Sequence, residues 1–334
     1  MKKILVTGGF GFIGSTLVEQ LLEKSEVAIH VIDNMSTSPL EVPDYLEQIG
    51  SPANLTYDLV TIEHFFTRSS VPRFDEIYHL AAPVGPAGVL QHAGNMVRDV
   101  VRDAYLIIDY CRAHGTKLLD VSTSEIYGGG QSGYCPETTP KIVPAVTTVR
   151  LEYAIAKLAA ETAIINMCRT RDLKATIVRP FNVSGQRQSP KGGFVLPRFI
   201  QQASVNQPIT VFGDGRAIRA FTNVKDMASG IILAMDRGAN GEAYNVGNPA
   251  NKTTILDLAT RVKAVLESES EIRFVDPKKI YGELYEEAND KFPDAERAKK
   301  ELGWQPRYTI EETIQDAFRE FRRQQQRGTL KDHV

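Results

Sequence analysis

Hydrophobic and polar positions follow two patterns along the first half of the chain. Short apolar runs rich in Val, Ile and Leu are separated by longer segments in which apolar residues recur with the period of a helix. The runs predict strands at residues 3–7, 28–33, 76–80, 117–122 and 175–179. The longer segments predict helices at residues 15–23, 95–112 and 151–170. Because strands that alternate with helices form parallel sheets covered by helices, we predict an α/β fold with a doubly wound parallel sheet.

The residue composition of the sequence changes after Pro180. Gly, Pro, Ser and Asn cluster over residues 182–193, which is typical of loops. Beyond them the pattern predicts strands at 209–214 and 242–246, a short strand and helix at 221–235, and helices at 196–204, 256–267 and 310–326. We therefore predict a first domain at residues 1–180, completed by part of 209–246, and a smaller C-terminal α/β region at residues 181–330.

The composition is that of an ordinary globular protein. Of the 334 residues, 42% are hydrophobic and 24% charged, and the formal net charge is −2. Because the chain has no overall positive field, we expect neither a nucleic acid nor a membrane as a partner. The apolar run at the N-terminus is too short for a signal peptide or a membrane span. Cys111, Cys135 and Cys168 are far apart and lack metal-ligand spacing, so we expect reduced thiols, a cytoplasmic protein and no metal site.

A glycine-rich segment follows the first predicted strand and opens the first predicted helix. Residues 8–14, Gly-Gly-Phe-Gly-Phe-Ile-Gly, contain the spacing G-x-G-x-x-G at Gly9, Gly11 and Gly14. Glycine permits positive φ and lets a pyrophosphate approach where a Cβ atom would collide with it. The helix N-terminus offers free N–H groups and a partial positive charge to phosphates. In this context the segment predicts a Rossmann dinucleotide-binding domain.

An acidic residue ends the second predicted strand, about 20 residues after the glycines, where a carboxylate can accept hydrogen bonds from an adenosine ribose. This residue is Asp33, and no Lys or Arg occurs over residues 25–67 to accept a 2′-phosphate. The sequence therefore favours NAD over NADP. Asp58 is a candidate contact of the adenine edge, with a solvated loop aspartate as the alternative.

The residues Tyr153 and Lys157 lie four apart in a predicted helix, so both side chains project from one face. A phenol with a pKa of about 10 is a poor base at neutral pH. A nearby ammonium and a positive nicotinamide ring would favour the phenolate, and the same lysine can hydrogen-bond to the nicotinamide ribose. The pair predicts a proton-transfer site, and a chance pair on a helix surface is the alternative.

Hydroxyl-bearing residues and one acid follow the strand predicted at 117–122. They are Thr123, Ser124 and Glu125. Ligands of doubly wound sheets bind beyond the carboxyl ends of the strands. We expect a hydroxyl here to orient the substrate alcohol beside Tyr153 and the carboxylate to act in later proton handling. The alternative for Glu125 is a capping or solvated acid.

Together these residues resemble the extended short-chain dehydrogenase/reductase family of NAD-dependent nucleotide-sugar epimerases, dehydratases and decarboxylases. The similarity includes residues 7–14, 78–82, 123–125, 153–157, 179–182, 211–215, 219–222 and 244–247. It implies a Rossmann domain that holds NAD through turnover and a C-terminal region that holds the nucleoside diphosphate of a nucleotide-sugar, with UDP as the expected nucleotide. It also implies a homodimer that pairs through the helices at 95–112 and 151–170.

The resemblance assigns site residues on the matching motifs. The NAD contacts it implies are Gly8, Gly11, Phe12, Ile13, Gly14, Asp33, Asn34, Asp58, Leu59, Leu80, Ala81, Ala82, Tyr153 and Lys157. The implied substrate contacts are Ser124, Asn182 and Arg219. The implied catalytic residues are Tyr153, Lys157, Thr123, Glu125 and Arg219.

The chemistry implied by the resemblance begins with oxidation at sugar C4, in which Tyr153 removes the hydroxyl proton. Thr-Ser-Glu at 123–125 is most similar to the UDP-glucuronate decarboxylases, in which the 4-ketone makes the C6 carboxylate a β-keto acid. A 4,6-dehydratase would carry Asp-Glu after the threonine. We therefore expect decarboxylation of UDP-glucuronate, with a 4-epimerase of UDP-glucose or UDP-glucuronate as the alternative. A 4,6-dehydratase and a non-catalytic NAD-binding protein are less favoured.

Overall fold

A computed structural model describes residues 1–128, 133–145, 147–283 and 290–328 of the chain. The strands, in chain order, are β1 Lys2–Thr7, β2 Val27–Ile32, β3 Leu55–Asp58, β4 Glu76–His79, β5 Lys117–Val121, β6 Gly133–Cys135, β7 Ala175–Pro180, β8 Val183–Ser184, β9 Ile209–Phe212, β10 Ile218–Ala220, β11 Thr222–Asn223, β12 Ala243–Val246, β13 Lys252–Thr254, β14 Ile272–Val275 and β15 Lys291–Pro293. The α-helices are α1 Phe12–Leu22, α2 Val42–Gln48, α3 Ile62–Phe66, α4 Gly85–Gln91, α5 Met96–His114, α6 Val149–Thr170, α7 Val195–Ser204, α8 Val224–Arg237, α9 Ile255–Val265, α10 Lys278–Tyr281 and α11 Ile310–Arg327.

Seven strands form the central sheet, in the order β12-β7-β5-β4-β1-β2-β3, and all neighbours are parallel. The sequence order reverses between β1 and β4, so the connections that leave their carboxyl ends run to opposite faces of the sheet and leave a crevice suited to a ligand. Thr7 at the end of β1 pairs in register with His79 at the end of β4. β12 reaches this sheet from the second half of the chain.

Successive residues of a strand point to opposite faces of the sheet. Both faces therefore carry apolar side chains, and helices cover both. On one face α1 packs over β1 and β2, and α8 packs over β5 and β7. Leu17 of α1 lies in the same buried cluster as Val6 of β1. On the other face α5 and α6 contribute Ile107 and Ile164 to a cluster that contains Leu5. On this face α6, the predicted catalytic helix, packs against β7 and against the segment Ser124–Tyr127 that follows β5.

The C-terminal region has a core of its own. α7, α9 and α11 surround the short parallel pair β9 and β14, with Phe199, Leu258 and Ile314 fully buried between them. Two further pairs, β10 with β13 and β6 with β15, connect this region to the end of the central sheet. None of the described helices combines the length and the apolar character needed to cross a membrane.

The predicted α/β fold with a doubly wound parallel sheet is confirmed, and several predicted boundaries differ. Helix α1 begins at Phe12 rather than Ser15, because the last glycines already form its first turn and the N–H of Ser15 donates to the carbonyl of Gly11. The strand predicted at 209–214 ends at Phe212, where Gly213 turns the chain with φ of +59°. The division of the chain at residue 180 stays a prediction.

Candidate active site

The glycine-rich loop between β1 and α1 is packed too tightly for larger residues. A Cβ atom on Gly14 would lie 2.0 Å from the carbonyl oxygen of Gly8. A Cβ atom on Gly8, whose φ is +69°, would lie 3.0 Å from backbone atoms of Ala81. These contacts draw the start of α1 against the ends of β1 and β4, beside the crevice of the sheet.

The N-terminus of α1 fits a pyrophosphate. Its N-cap is Gly11, and no side chain caps this helix end. Phe12 and Ile13, both predicted NAD contacts, are the first two residues of the helix. Backbone N–H groups in a first helical turn without a side-chain cap are a ready site for an anion.

Asp33 lies beyond the end of β2 and is almost fully buried. Its carboxylate accepts the N–H of Phe10 at 3.0 Å and the N–H of Met35 at 2.8 Å. Burial raises the pKa of Asp33, and these hydrogen bonds oppose the rise. Asn34 follows it, and its Oδ1 accepts the N–H of Ser36. The carboxylate thus ties the glycine loop to β2, at the position where the ribose of a dinucleotide would lie.

Asp58 at the end of β3 is already engaged by two basic side chains. Its Oδ2 accepts from Arg68 Nη1 at 2.9 Å and lies 3.1 Å from His30 Nε2. The hydrogen bond from Arg68 is the main cause of its lowered pKa. Leu59, the next residue, is exposed. Contact of Asp58 and Leu59 with the cofactor stays a prediction.

The end of β4 is held to β1 by one hydroxyl. The backbone N–H groups of Leu80 and Ala81 both donate to Thr7 Oγ1, at 3.1 Å and 3.2 Å. Leu80, Ala81 and the following Ala82 therefore form the wall of the crevice opposite α1. The predicted NAD contacts from both strands face one another across the point where the strand order reverses.

The predicted catalytic pair projects from α6 onto the end of β5. The Tyr153 phenol lies beside the Thr123 side chain, and Lys157 Nζ donates to the carbonyl of Val121 at 2.9 Å. Both side chains are buried. Burial raises the pKa of the Tyr153 phenol, which the Thr123 side chain opposes, and burial lowers the pKa of the Lys157 ammonium. A base made from this phenol therefore depends on positive charge placed beside it.

Glu125 follows Thr123 in a short 3-10 helix, Ser124–Tyr127. Two cations contact its carboxylate, with Arg150 Nε 2.7 Å and Lys291 Nζ 3.3 Å from Oε2. Burial alone would raise the pKa of Glu125, but Arg150 and Lys291 outweigh it and hold the pKa at about 2. Glu125 is therefore a carboxylate at neutral pH, and the adjacent Ser124 is buried beside it.

Arg219 and Asn182 lie on the C-terminal side of the crevice. Arg219 on β10 donates to Asp290 Oδ1 at 3.0 Å, and Asp290 precedes Lys291 in the chain. Asn182, between β7 and β8, has φ of +38°, and its carbonyl accepts the N–H of Thr222. Arg219 is thus linked through neighbouring residues to the Glu125 cluster.

The structure brings Tyr153, Lys157, Thr123 and Glu125 together at the end of β5. Sequence reasoning missed Lys291, because one lysine beyond residue 181 carries no motif. Arg150 was also not predicted as a site residue. The signal for Arg150 was its position one helical turn before Tyr153, on the face that turns toward Glu125.

A family model described as "NAD dependent epimerase/dehydratase family" matches residues 4–247 of the chain. The chain belongs to this family. The matched segment includes the glycine loop, Asp33, the Thr-Ser-Glu segment and the Tyr153–Lys157 pair. The predicted membership of the nucleotide-sugar epimerase and dehydratase family, and the prediction of NAD as cofactor, are confirmed.

Relatives of this family member cover nearly its whole length. UDP-glucuronic acid decarboxylase 3 of Arabidopsis thaliana is 31% identical over 96% of this chain and 89% of the relative. UDP-N-acetyl-alpha-D-glucosaminuronate decarboxylase of Bacillus cytotoxicus is 30% identical over 96% of this chain and 98% of the relative. The solved UDP-glucose 4-epimerase of Thermotoga maritima, with UDP-glucose, has a TM-score of 0.84 and 27% identity, covering 97% of this chain and 99% of that one.

Proposed function

We propose that this family member decarboxylates a UDP-linked hexuronate through a 4-keto intermediate, with UDP-glucuronate as the expected substrate. The observation that carries the proposal is the ionised Glu125, held between Lys291 and Arg150. Arg150 lies on α6, one helical turn before the proposed base Tyr153. Both relatives described above as decarboxylases are named for substrates that carry a C6 carboxylate. Two cations at one end of the sugar site suit such a carboxylate better than a neutral hydroxymethyl group.

Tyr153 is the proposed base for the C4 hydroxyl proton, and Thr123, whose side chain lies beside the phenol, orients that hydroxyl. Lys157 places its ammonium on the same helix face, one turn further along α6. Its charge favours the phenolate, and its remaining N–H groups suit the nicotinamide ribose. When bound, NAD supplies the oxidation of C4 and its later reversal.

The ketone at C4 makes the C6 carboxylate a β-keto acid. The C5–C6 bond then breaks, carbon dioxide leaves, the electron pair passes toward the C4 oxygen, and C5 takes up a proton. Elimination of water would instead need a protonated acid near the leaving group. Glu125 does not meet that need, since its pKa of about 2 keeps it ionised at neutral pH. Ser124 stands where a 4,6-dehydratase would carry the aspartate, so neither residue supplies that acid and the segment favours decarboxylation over 4,6-dehydration.

A 4-epimerase is the second candidate. It needs the same Tyr153 and NAD, and it needs no acid at Glu125. The likeness to the Thermotoga maritima UDP-glucose 4-epimerase supports it. An epimerase would rotate the 4-keto sugar and return the same mass.

One incubation separates the candidates. The purified protein with NAD is given UDP-glucuronate, UDP-N-acetylglucosaminuronate or UDP-glucose, and the products are analysed by mass spectrometry. Loss of carbon dioxide from a hexuronate supports the proposal, and a 4-epimer of unchanged mass supports the alternative. A Tyr153→Phe protein is the control for catalysis by this site. The proposal is wrong if neither hexuronate loses carbon dioxide while UDP-glucose is epimerised.

We also propose a homodimer formed by α5 and α6 of two copies. Apolar side chains are exposed on and beside these helices, including Tyr105, Ile155 and Val143. They border a shallow depression on α6 that is lined by Leu158, Ala159, Ala163 and Met167. Light scattering is expected to give twice the chain mass, and Ile155→Arg to give the monomer. Val205→Arg, an exposed site after α7, is the matched control.

The cytoplasm is the proposed location. Its support is the state of the cysteines, since Cys111, Cys135 and Cys168 are all free. Free thiols are typical of reducing compartments. Cell fractionation with an antibody to the chain tests this location, and recovery in a secreted fraction would contradict it.

A further inference from the structure

A buried acid lies beneath the catalytic helix, and the proposed reaction does not use it. Asp120 is on β5, only 1% exposed, and pairs in register with His79 on β4 and Ile177 on β7. Its Oδ2 has no hydrogen-bond partner among the described residues. A buried carboxylate without hydrogen bonds is unfavourable unless a positive charge compensates it.

His79 does not supply that charge. Its Nε2 lies 3.9 Å from Asp120 Oδ1, and its Nδ1 lies 2.8 Å from Thr7 Oγ1. The Thr7 hydroxyl already accepts the two backbone N–H groups of Leu80 and Ala81, so its own hydrogen is donated to Nδ1. The imidazole is therefore neutral, with its hydrogen on Nε2 toward Asp120. Burial also lowers the pKa of His79, to about 3.

The cation whose charge acts on Asp120 is Lys157, and it does so at longer range, because the two side chains form no ion pair within 4.0 Å. Its Nζ donates to the carbonyl of Val121, the residue next to Asp120, and is as deeply buried. Burial lowers the pKa of Lys157. Among the acids that oppose this lowering, Asp120 has the largest effect. Burial raises the pKa of Asp120 to about 6, and Lys157 opposes that rise.

The other charged groups around the pair have partners of their own. Glu161 on α6 is bound by Arg179, and Asp103 on α5 is bound by Arg102 at 2.9 Å. Both of these acids act on Lys157 less than Asp120 does. On the Asp120 side of β5, the hydroxyl of Ser122 is uncharged and has no described hydrogen-bond partner.

We propose that Asp120 is a positioning residue for catalysis: its buried carboxylate is the counter-ion that keeps the Lys157 ammonium charged and held at the end of β5, beside Tyr153. The inference rests on the proposed roles of Tyr153 and Lys157 and does not depend on which sugar is the substrate. Asp120 acts only through Lys157.

The first test is the pH dependence of turnover in Asp120→Asn, with any nucleotide-sugar that the wild-type protein converts. Without its counter-ion, Lys157 loses its proton at lower pH, so the alkaline limb of kcat is expected to move down by about one pH unit. On that limb a one-unit shift is about a tenfold loss of rate at fixed pH. Asp103→Asn removes a charge that Arg102 already compensates, and its profile is expected to follow the wild type. Coincident profiles for Asp120→Asn and the wild type would overturn the proposal.

The second test needs no substrate, so it stays informative if the proposed function fails. Because the folded-state pKa of Asp120 is raised to about 6, its ionisation costs stability as pH rises from about 4 through 6. Asp120→Asn lacks this cost, so its Tm relative to the wild type is expected to rise over that range. In Lys157→Met the lost ammonium is expected to move the wild-type transition to higher pH. If the Asp120→Asn protein does not fold, Lys157→Met still tests the pairing of the two side chains. An unmoved transition in Lys157→Met contradicts the pairing.

Discussion

The ammonium Nζ of Lys291 lies 3.3 Å from Oε2 of Glu125, joining the start of β15 to the end of β5. Together with Arg150, this contact sets the charge of the one acid that distinguishes the proposed reactions. Glu125 in isolation is an ordinary glutamate. The lysine that holds it ionised comes from the C-terminal region, where the sequence shows no motif.

The Tyr153→Phe substitution is expected to lower kcat by about 10²- to 10⁴-fold, because it removes the base and leaves the packing of α6 unchanged. Bound NAD is expected to remain, since the glycine loop and Asp33 are untouched. Turnover and NAD content are measured on the same preparation. Full activity in this variant would show that the family member uses another base or is a binding protein.

The Glu125→Gln substitution is expected to destabilise the fold by about 3 kcal/mol at neutral pH. The folded pKa of Glu125 is lowered to about 2, so its pairing contributes stability above the unfolded value near 4.5. That contribution is lost as pH falls from about 4.5 through 2. Urea unfolding at pH 7 and pH 3 measures this contribution. The difference in the free energy of unfolding between the variant and the wild type is expected to be smaller at pH 3.

Activity supplies the second measurement on Glu125. Decarboxylation is expected to fall at least tenfold in Glu125→Gln, because Arg150 and Lys291 lose the carboxylate that orients them. The exposed Glu23→Gln is the matched control, and both its stability and its rate are expected to match the wild type. An active, fully stable Glu125→Gln protein would argue against the cluster.

The Lys291→Met substitution is expected to raise KM for the hexuronate about tenfold or more, because it removes one of two cations proposed to hold the C6 carboxylate. Binding of UDP alone is expected to change little, which calorimetry can measure. Lys299→Met, at an exposed lysine, is the control. Equal losses of hexuronate and UDP affinity would point to general disruption of the C-terminal region.

The Gly14→Ala substitution is expected to abolish NAD binding, because its Cβ would lie 2.0 Å from the Gly8 carbonyl and push α1 away from the loop. Gly88→Ala in α4 is the matched control, since the nearest atom to its new Cβ is 3.9 Å away. That control is expected to be neutral or to stabilise the fold by up to about 1 kcal/mol. NAD titration followed by protein fluorescence compares them, and normal binding by Gly14→Ala would contradict the tight packing of this loop.

Local sequence determined the parts of this protein that depend on few neighbours. The alternating apolar runs were sufficient for the strands of the parallel sheet and for its long helices, because burial favours a fixed period within each element. The glycines and Asp33 were sufficient to predict NAD as the cofactor, since they lie within one strand–helix–strand unit. The spacing of Tyr153 and Lys157 placed both on one face of α6 without knowledge of the rest of the chain.

Tertiary structure alone decided the charges that this site uses. The sequence shows that Glu125 and Asp120 are acids near the end of one strand, and nothing in it indicates that their pKa values move in opposite directions. The pKa of Glu125 is lowered because Arg150 of α6 and Lys291 of β15 contact its carboxylate. The pKa of Asp120 is raised because the effect of burial outweighs the attraction of the Lys157 ammonium. Both shifts depend on desolvation and on distances between charges, and these exist only once the elements have packed.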